Sequence, residues 1–320
     1  MSKNKLFRIG IDIGGTTAKG AVVDEHGSIL ERDFFQTKDA DIETIFEKLT
    51  ALILKLTSTV GKQNIAGIGI GSPGKINSKL GIIEYATNLP FKNVEMCKHI
   101  KETTGFEARI TNDGNAAALG ESTYGAGKNY ANSITITTGT GLGAGVIIDN
   151  KIFEGPTIGT ELGHIVIDVN GELCNCREGR RGCLEQYTSA TALKRETIKA
   201  MVENPGSAMW KHCDGDIDKV APSLAIECAK MGDETAIIVV NNYLRNLGIG
   251  MANIANSFGP EAFIMAGGFP THCSHLTESL EDIISKQIYA DAKIKVRLAM
   301  LGEDAGIIGA ACQFNLKLKI

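Results

Sequence analysis

The chain has 320 residues, 43% of them hydrophobic and 22% charged, with 37 Gly and only 7 Pro, a balance that excludes disorder and gives ample core for two domains or one large α/β unit. A formal net charge of −4 without a long basic run excludes the electrostatic footprint of a nucleic-acid binder, and no stretch is apolar for long enough to span a membrane. Eight cysteines are too few for a disulfide scaffold, and with no export signal they are expected to be reduced thiols or metal ligands in the cytoplasm.

In chain order, Leu6–Gly14, Ala18–Glu25 and Ser28–Gln36 read as a three-stranded meander punctuated by Gly15-Thr16-Thr17 and His26-Gly27. A helix-period stretch from Ile42 to Leu56 leads to a buried-type strand, Ile65–Ile70, which runs into Gly71-Ser72-Pro73-Gly74. A short strand, Ala108–Thr111, precedes a helix beginning near Asp113. From Ser133 a second strand-turn-strand overlays the first at a constant offset of 125: Ile9, Ile11, Gly14, Gly20 and Asp24 fall on Ile134, Ile136, Gly139, Gly145 and Asp149. A duplicated fold is the expectation. A Cys-rich loop (Glu172–Glu185), a long helical run (Asp233–Phe258), a strand Ala262–Ala266 ending in Gly267-Gly268 and a last helix from about Glu303 complete the chain.

Asp12-Ile13-Gly14-Gly15-Thr16-Thr17 puts an acid at a strand end before two residues free to take positive φ, so backbone N–H groups can turn toward phosphate oxygens. Thr16 and Thr17 add hydroxyls and Lys19 a charge. An acid beside a phosphate cradle implies a cation such as Mg²⁺ between them, whereas an ordinary tight turn would leave Asp12 solvated. The repeat supplies a second such turn, Thr137-Thr138-Gly139-Thr140-Gly141-Leu142-Gly143, and two such turns suit a nucleotide.

With this pair of turns the chain resembles a sugar kinase of the actin-like ATPase superfamily, specifically of the ROK family (repressors, open reading frames and kinases), over essentially its whole length. The resemblance implies two domains of the ribonuclease H-like fold closing over ATP, with Asp12, Gly14, Gly15, Thr16, Lys19, Gly139, Thr140 and Gly141 near the phosphates and Gly267-Gly268 beside the nucleoside. The expected division is a smaller α/β domain of residues 1–117 plus about 304–320, and a larger one of 118–303 that carries a zinc loop and a dimerisation surface, since the family often forms homodimers.

Asn112-Asp113-Gly114-Asn115 follows a strand and opens a helix, a place that also suits an ordinary N-cap. In the family an Asn-Asp pair here holds the sugar and removes its hydroxyl proton, which makes Asn112 a substrate ligand and Asp113 the catalytic base. Glu161-Leu-Gly-His164 and Cys174-Asn-Cys176-Arg-Glu-Gly-Arg-Arg-Gly-Cys183-Leu-Glu185 place one imidazole and three thiols within twenty residues, a closed tetrahedral set for structural zinc. The loop resembles the family's Cys-x-Cys-Gly-x-x-Gly-Cys-x-Glu signature with two extra residues at Arg177-Glu178. The resemblance further puts Glu161, His164 and Glu185 on the sugar hydroxyls, with Asn88 and Gly71 or Ser72 as the opposite wall. Cys97, Cys213, Cys228, Cys273 and Cys312 show no comparable spacing and read as structural thiols.

The implied activity is ATP-dependent phosphorylation of a hexose at its 6-hydroxyl, glucose first and N-acetylglucosamine or N-acetylmannosamine as alternatives. The family's DNA-binding repressors carry a helix-turn-helix before the first phosphate strand, and here that strand begins within the first ten residues. A catalytically dead relative would lack Asp12 or Asp113, and both are present.

Overall fold

The computed structural model describes residues 7–155, 160–268 and 277–314; Leu6 and Cys273 lie outside them. The first sheet has the order β3-β2-β1-β4-β8, from β1 (Phe7–Ile13), β2 (Thr17–Val23), β3 (Ile29–Gln36), β4 (Ile65–Ser72) and β8 (Ala108–Asn112). β1, β2 and β3 pair antiparallel, whereas β4 joins β1 and β8 joins β4 in parallel. A small three-stranded sheet holds β5 (Lys75–Asn77), β6 (Ile82–Tyr85) and β7 (Lys92–Val94). Helices α1 (Ile42–Val60), α2 (Met96–Thr104) and α3 (Asp113–Thr123) complete this part of the chain. Helix α1 outruns the apolar period by one turn and stops at Gly61, whose φ of 81° removes the penalty a side chain would carry there.

The second sheet repeats the pattern. Its order is β11-β10-β9-β12-β13, from β9 (Ser133–Thr138), β10 (Leu142–Ile148), β11 (Lys151–Phe153), β12 (Ala262–Gly267) and β13 (Lys295–Leu298). β12 runs parallel to both β9 and β13, as β4 does to β1 and β8. The duplication expected from the sequence offset is therefore present in the strand order. The remaining helices are α4 (Glu185–Thr188), α5 (Ala190–Glu203), α6 (Met209–His212), α7 (Leu224–Lys230), α8 (Glu234–Phe258), α9 (Thr277–Gln287) and α10 (Ala305–Cys312). No described helix is long and apolar enough to cross a membrane.

The chain divides into two compact units, Met1–Ala131 with Gly145–Thr160 and Met300–Ile320, and Asn132–Ala144 with Glu161–Ala299. The first unit thus runs past the boundary expected at 117. The reason is α3, a continuous helix whose Ala116 and Gly120 backbone meets α10 directly, so residues beyond 117 cannot leave with the second unit.

Strand alternation decides what each face of the first sheet carries. Ile9, Ile11 and Ile13 of β1 and Ile68 and Ile70 of β4 join Ile45, Leu49, Ile53 and Leu56 of α1 in one dry core. The intervening residues, Gly10 and Asp12 on β1 and Gly67, Gly69 and Gly71 on β4, face the other way. There α10 is apolar nearly all round and buried, and it lies so close that a Cβ on Gly10 would stand 2.0 Å from Ile307 O, one on Gly69 1.8 Å from Ala310 O, and one on Gly309 1.6 Å from Ala116 O.

These obstacles are backbone atoms, which a rotamer change cannot clear. Gly309→Ala is expected to lower the unfolding free energy by about 3 kcal/mol or to prevent folding, whereas Gly139→Ala, whose Cβ would meet nothing within 4 Å, is expected to leave it unchanged. Urea unfolding of the two variants beside the wild type checks this.

Candidate active site

In the first unit, Asp12 ends β1 and stands in register with Lys19 on β2 and Gly71 on β4. A Cβ on Gly306 of α10 would lie 2.9 Å from Asp12 Oδ2, and one on Gly71 would lie 3.8 Å from both Asp12 Oδ1 and Asp113 Cα. Glycine on either side leaves the space that the Asp12 carboxylate occupies. Burial first, and the negative charge of Asp113 second, push the Asp12 carboxyl up to about 6 against the opposing pull of Lys19.

The turn after Asp12 is closed by Gly14 N donating to Thr17 O at 3.0 Å, and Thr37 Oγ1 donates to Gly14 O at 2.6 Å. Gly14 and Gly15 do not take the positive φ expected of them. Crowding selects glycine instead, because a Cβ on Gly15 would press on Asn88 Cβ at 3.2 Å. That contact brings the exposed Asn88 to the turn. Lys19 is spent on an exposed ion pair with Glu303 at 3.1 Å.

Asn112 is the N-cap of α3: its Oδ1 accepts from Gly114 N at 2.9 Å and its Nδ2 donates to Gly74 O at 3.3 Å. With capping assigned to Asn112, Asp113 becomes the first helical residue. Its Oδ1 also accepts from Gly114 N at 2.9 Å, and the helix N-terminus favours its charge. Asp113 is exposed to solvent on one side, yet the protein packed around the rest of it raises its pKa, opposed by the Gly114 N–H and the Asn112 side chain. Ser72 is fully buried, pairs with Asn112 between β4 and β8, and its hydroxyl donates to Pro73 O at 3.3 Å.

Two carboxylates here escaped the sequence reading. Glu154 accepts from Thr111 Oγ1 at 2.7 Å and from Ser78 Oγ, bracing the strand end that delivers Asn112 and Asp113. Glu121, completely buried, accepts from Ala126 N at 2.8 Å, Leu301 N at 2.8 Å and Met300 N at 3.0 Å, which fixes the chain entering α10.

In the second unit, Gly139 N donates to Gly141 O at 3.0 Å, and Ala190 N and Thr191 Oγ1 donate to Gly139 O and Thr140 O. The turn is thereby seated on the start of α5. Open space surrounds the Cβ positions of Gly139 and Gly268, as a backbone approached by phosphate or nucleoside requires. Gly267 has φ of 97° and lies over Thr138 O, 2.0 Å from where its Cβ would be. Glu185 is tied to the same turn, its Oε2 accepting from Leu142 N at 2.8 Å. Glu161 begins the 3₁₀ turn Leu162–His164, with its carbonyl accepting from His164 N at 3.0 Å.

His164, Cys174, Cys176 and Cys183 bring their ligand atoms within 4.8 Å of one another. Two bridges, Val166↔Cys183 and Leu173↔Arg181, shape the loop between them. Burial first and the neighbouring thiols next lift Cys176 to about 12. Burial also raises Cys174, but hydrogen bonds from Cys176, Cys183 and Gln186 draw it below the usual thiol value. Thiols packed this tightly ionise together only against a cation, so the donor set fits zinc. Cys97, Cys213, Cys228 and Cys312 are free and at least half-buried. A cavity of about 510 Å³ beside Tyr187, Lys199, Asn242 and Arg245 contains none of the residues expected at the site.

Comparison with known proteins accords with this arrangement. Glucokinase of Thermotoga maritima is 33% identical over 315 residues, 96% of each chain. The crystal structure of a ROK family glucokinase from Streptomyces griseus in complex with glucose and AMPPNP is 32% identical, covers 95% of this chain and 98% of its own, and superposes with a TM-score of 0.78. The xylose repressor of Caldicellulosiruptor bescii is 30% identical over 94% of this chain and 76% of its own length. The sequence model of the ROK family matches residues 8–316, and with these relatives spanning nearly all of it, the chain belongs to the ROK family.

Proposed function

We propose that the chain is an ATP-dependent hexose kinase that phosphorylates glucose at its 6-hydroxyl. The observation that carries this reading is the pair of carboxylates, Asp12 behind a glycine turn and Asp113 at the first position of a helix, each with a raised pKa. The Thermotoga and Streptomyces glucokinases support glucose as the substrate; N-acetylglucosamine and N-acetylmannosamine are the alternatives. Likeness to a xylose repressor supports a sensing role as the second reading, against which stands the presence of both carboxylates. The active assembly is proposed as a homodimer.

In this reading Asp113 takes the proton of the sugar hydroxyl as that oxygen attacks the γ-phosphorus, and the bond to the ADP oxygen breaks. Asn112, Asn88, Glu161, His164 and Glu185 hold the sugar hydroxyls, with Gly71 and Ser72 shaping the wall behind them. The N–H groups of Gly14, Gly15, Thr16 and of Gly139–Gly141 receive phosphate oxygens, and Gly267-Gly268 flanks the nucleoside. Mg²⁺, when bound with ATP, offsets phosphate charge, and Asp12 is placed to hold it directly or through water. Zinc on His164, Cys174, Cys176 and Cys183 is structural, because protein atoms fill all four positions.

ADP release with Mg-ATP and glucose, mannose, N-acetylglucosamine or N-acetylmannosamine tests the activity; no turnover on any sugar by zinc-replete protein would sink it. Asp113→Asn is expected to lower kcat about 10²–10⁴-fold with glucose binding retained by calorimetry, and near-normal turnover would remove Asp113 from the role of base.

The ionised form of Asp113 is the active one, so kcat/KM should fall as pH drops through its raised pKa, with the acid limb above the ordinary 3.8. A pH profile with its midpoint at or below that value contradicts the assignment. Asp12 titrates at 3.8 when unfolded and at about 6 when folded, so the native state holds the extra proton between those values. The Asp12 contribution to stability is thus largest below 3.8 and falls as pH rises through about 6, by about 3 kcal/mol in all. Asp12→Asn should therefore raise the melting temperature of zinc-replete protein without Mg²⁺ or nucleotide at pH 8 and not at pH 4, while abolishing turnover.

A further inference from the structure

Arg180 lies two residues after Arg177-Glu178, where this loop is two residues longer than the family signature. Gly179, with φ of 71°, and a hydrogen bond from Arg180 N to Arg177 O at 3.2 Å turn the lengthened segment back on itself. The fold-back lays the guanidinium against the thiol cluster. Arg180 Nε donates to Cys183 Sγ at 3.2 Å, Nη2 donates to the His164 carbonyl, and the Arg180 carbonyl accepts from Cys174 N at 2.8 Å. One residue thereby touches three of the four members of the ligand set. Its neighbour Arg181 has the same charge but donates to Gly171 O, at 3.0 Å.

We propose that Arg180 is a positioning residue for the metal, an outer-sphere partner that holds Cys183 and His164 in ligating geometry; the inference rests on the zinc reading given above. Three thiolates and a neutral imidazole leave a zinc site with one excess negative charge, and a guanidinium in direct contact offsets it. The flat fork of Arg reaches a sulfur and a carbonyl from separate nitrogens in fixed geometry, which the single nitrogen of Lys does not. The fork is carried by the fold-back that closes the lengthened segment.

The test is transfer of zinc from purified full-length protein to an excess of a chromogenic chelator, for wild type, Arg180→Met, Arg180→Lys and Arg181→Met, with circular dichroism to establish that each is folded. Arg180→Met is expected to weaken zinc retention about 10–100-fold, the usual effect of removing an outer-sphere partner. Arg180→Lys should fall between it and wild type, and Arg181→Met should match wild type. If both Arg180 variants hold zinc as wild type does, the role of Arg180 is overturned and the zinc reading stands. If wild-type protein takes up no zinc, the zinc reading falls and the role of Arg180 falls with it.

Discussion

Helix α10 lies against the first sheet and against α3 at backbone contact, a closeness that leaves no room for side chains at Gly10, Gly69, Gly120 and Gly309. From this packing the placement of the carboxylates follows. The strand pleat sends Asp12 to the same face as Gly10, so a helix that touches Gly10 also passes Asp12, and Gly306 is the residue it presents there. Helix α3 meets the same helix through Ala116 and Gly120, which fixes the position of its first residue, Asp113, relative to Asp12. Any looser packing of α10 would let the two acids drift apart.

Holding two acids this way opposes stability. An ionised Asp12 with little water around it and a second carboxylate nearby resists ionisation, and part of that penalty is present whenever the site is without a cation. The surrounding structure supplies the compensation. Asn112 satisfies the helix end, so Asp113 need not be spent on capping. Glu154 anchors the strand that delivers the pair, and Glu121 locks the entry to α10 by accepting from backbone N–H donors, the partners a buried carboxyl needs. The two glutamates are thus carboxylates that support other carboxylates from one step further back.

Much of this was legible in the sequence where the signal is local. The offset of 125 pairs β1 with β9 and β2 with β10, whose observed limits, Thr17–Val23 and Leu142–Ile148, keep the offset intact. The Cys and His spacing predicted a cluster that the chain forms. Positive φ at Gly14 and Gly15 was the natural inference from a Gly-Gly turn, but what excludes a side chain at Gly15 is Asn88, more than seventy residues away in the chain. Likewise the alternate glycines Gly67, Gly69 and Gly71 are plain in the sequence, while the helix backbone that crowds Gly69 comes more than two hundred residues later. Glu121, Glu154 and Gly306 gave no motif because their partners are backbone amides, lone hydroxyls and a carboxylate set by tertiary contact.

The Cys-rich loop is the kind of segment that a metal would suit. Of residues 172–181 only Cys174 is buried, and nearby Val166, Val169 and Leu173 are exposed at 41%, 77% and 55%, so the segment has almost no apolar core of its own. Two isolated bridges cannot define such a loop against the conformational entropy of some ten residues, about 1–2 kcal/mol for each backbone. Yet Glu185, at the end of the loop, accepts a hydrogen bond from Leu142 beside the second glycine turn and requires an accurate position. A cross-link of four ligands is a means of fixing a segment with nothing to bury. It would also account for ligands drawn from both sides of the loop, His164 before it and Cys183 two residues ahead of Glu185, since one ion there would hold both ends.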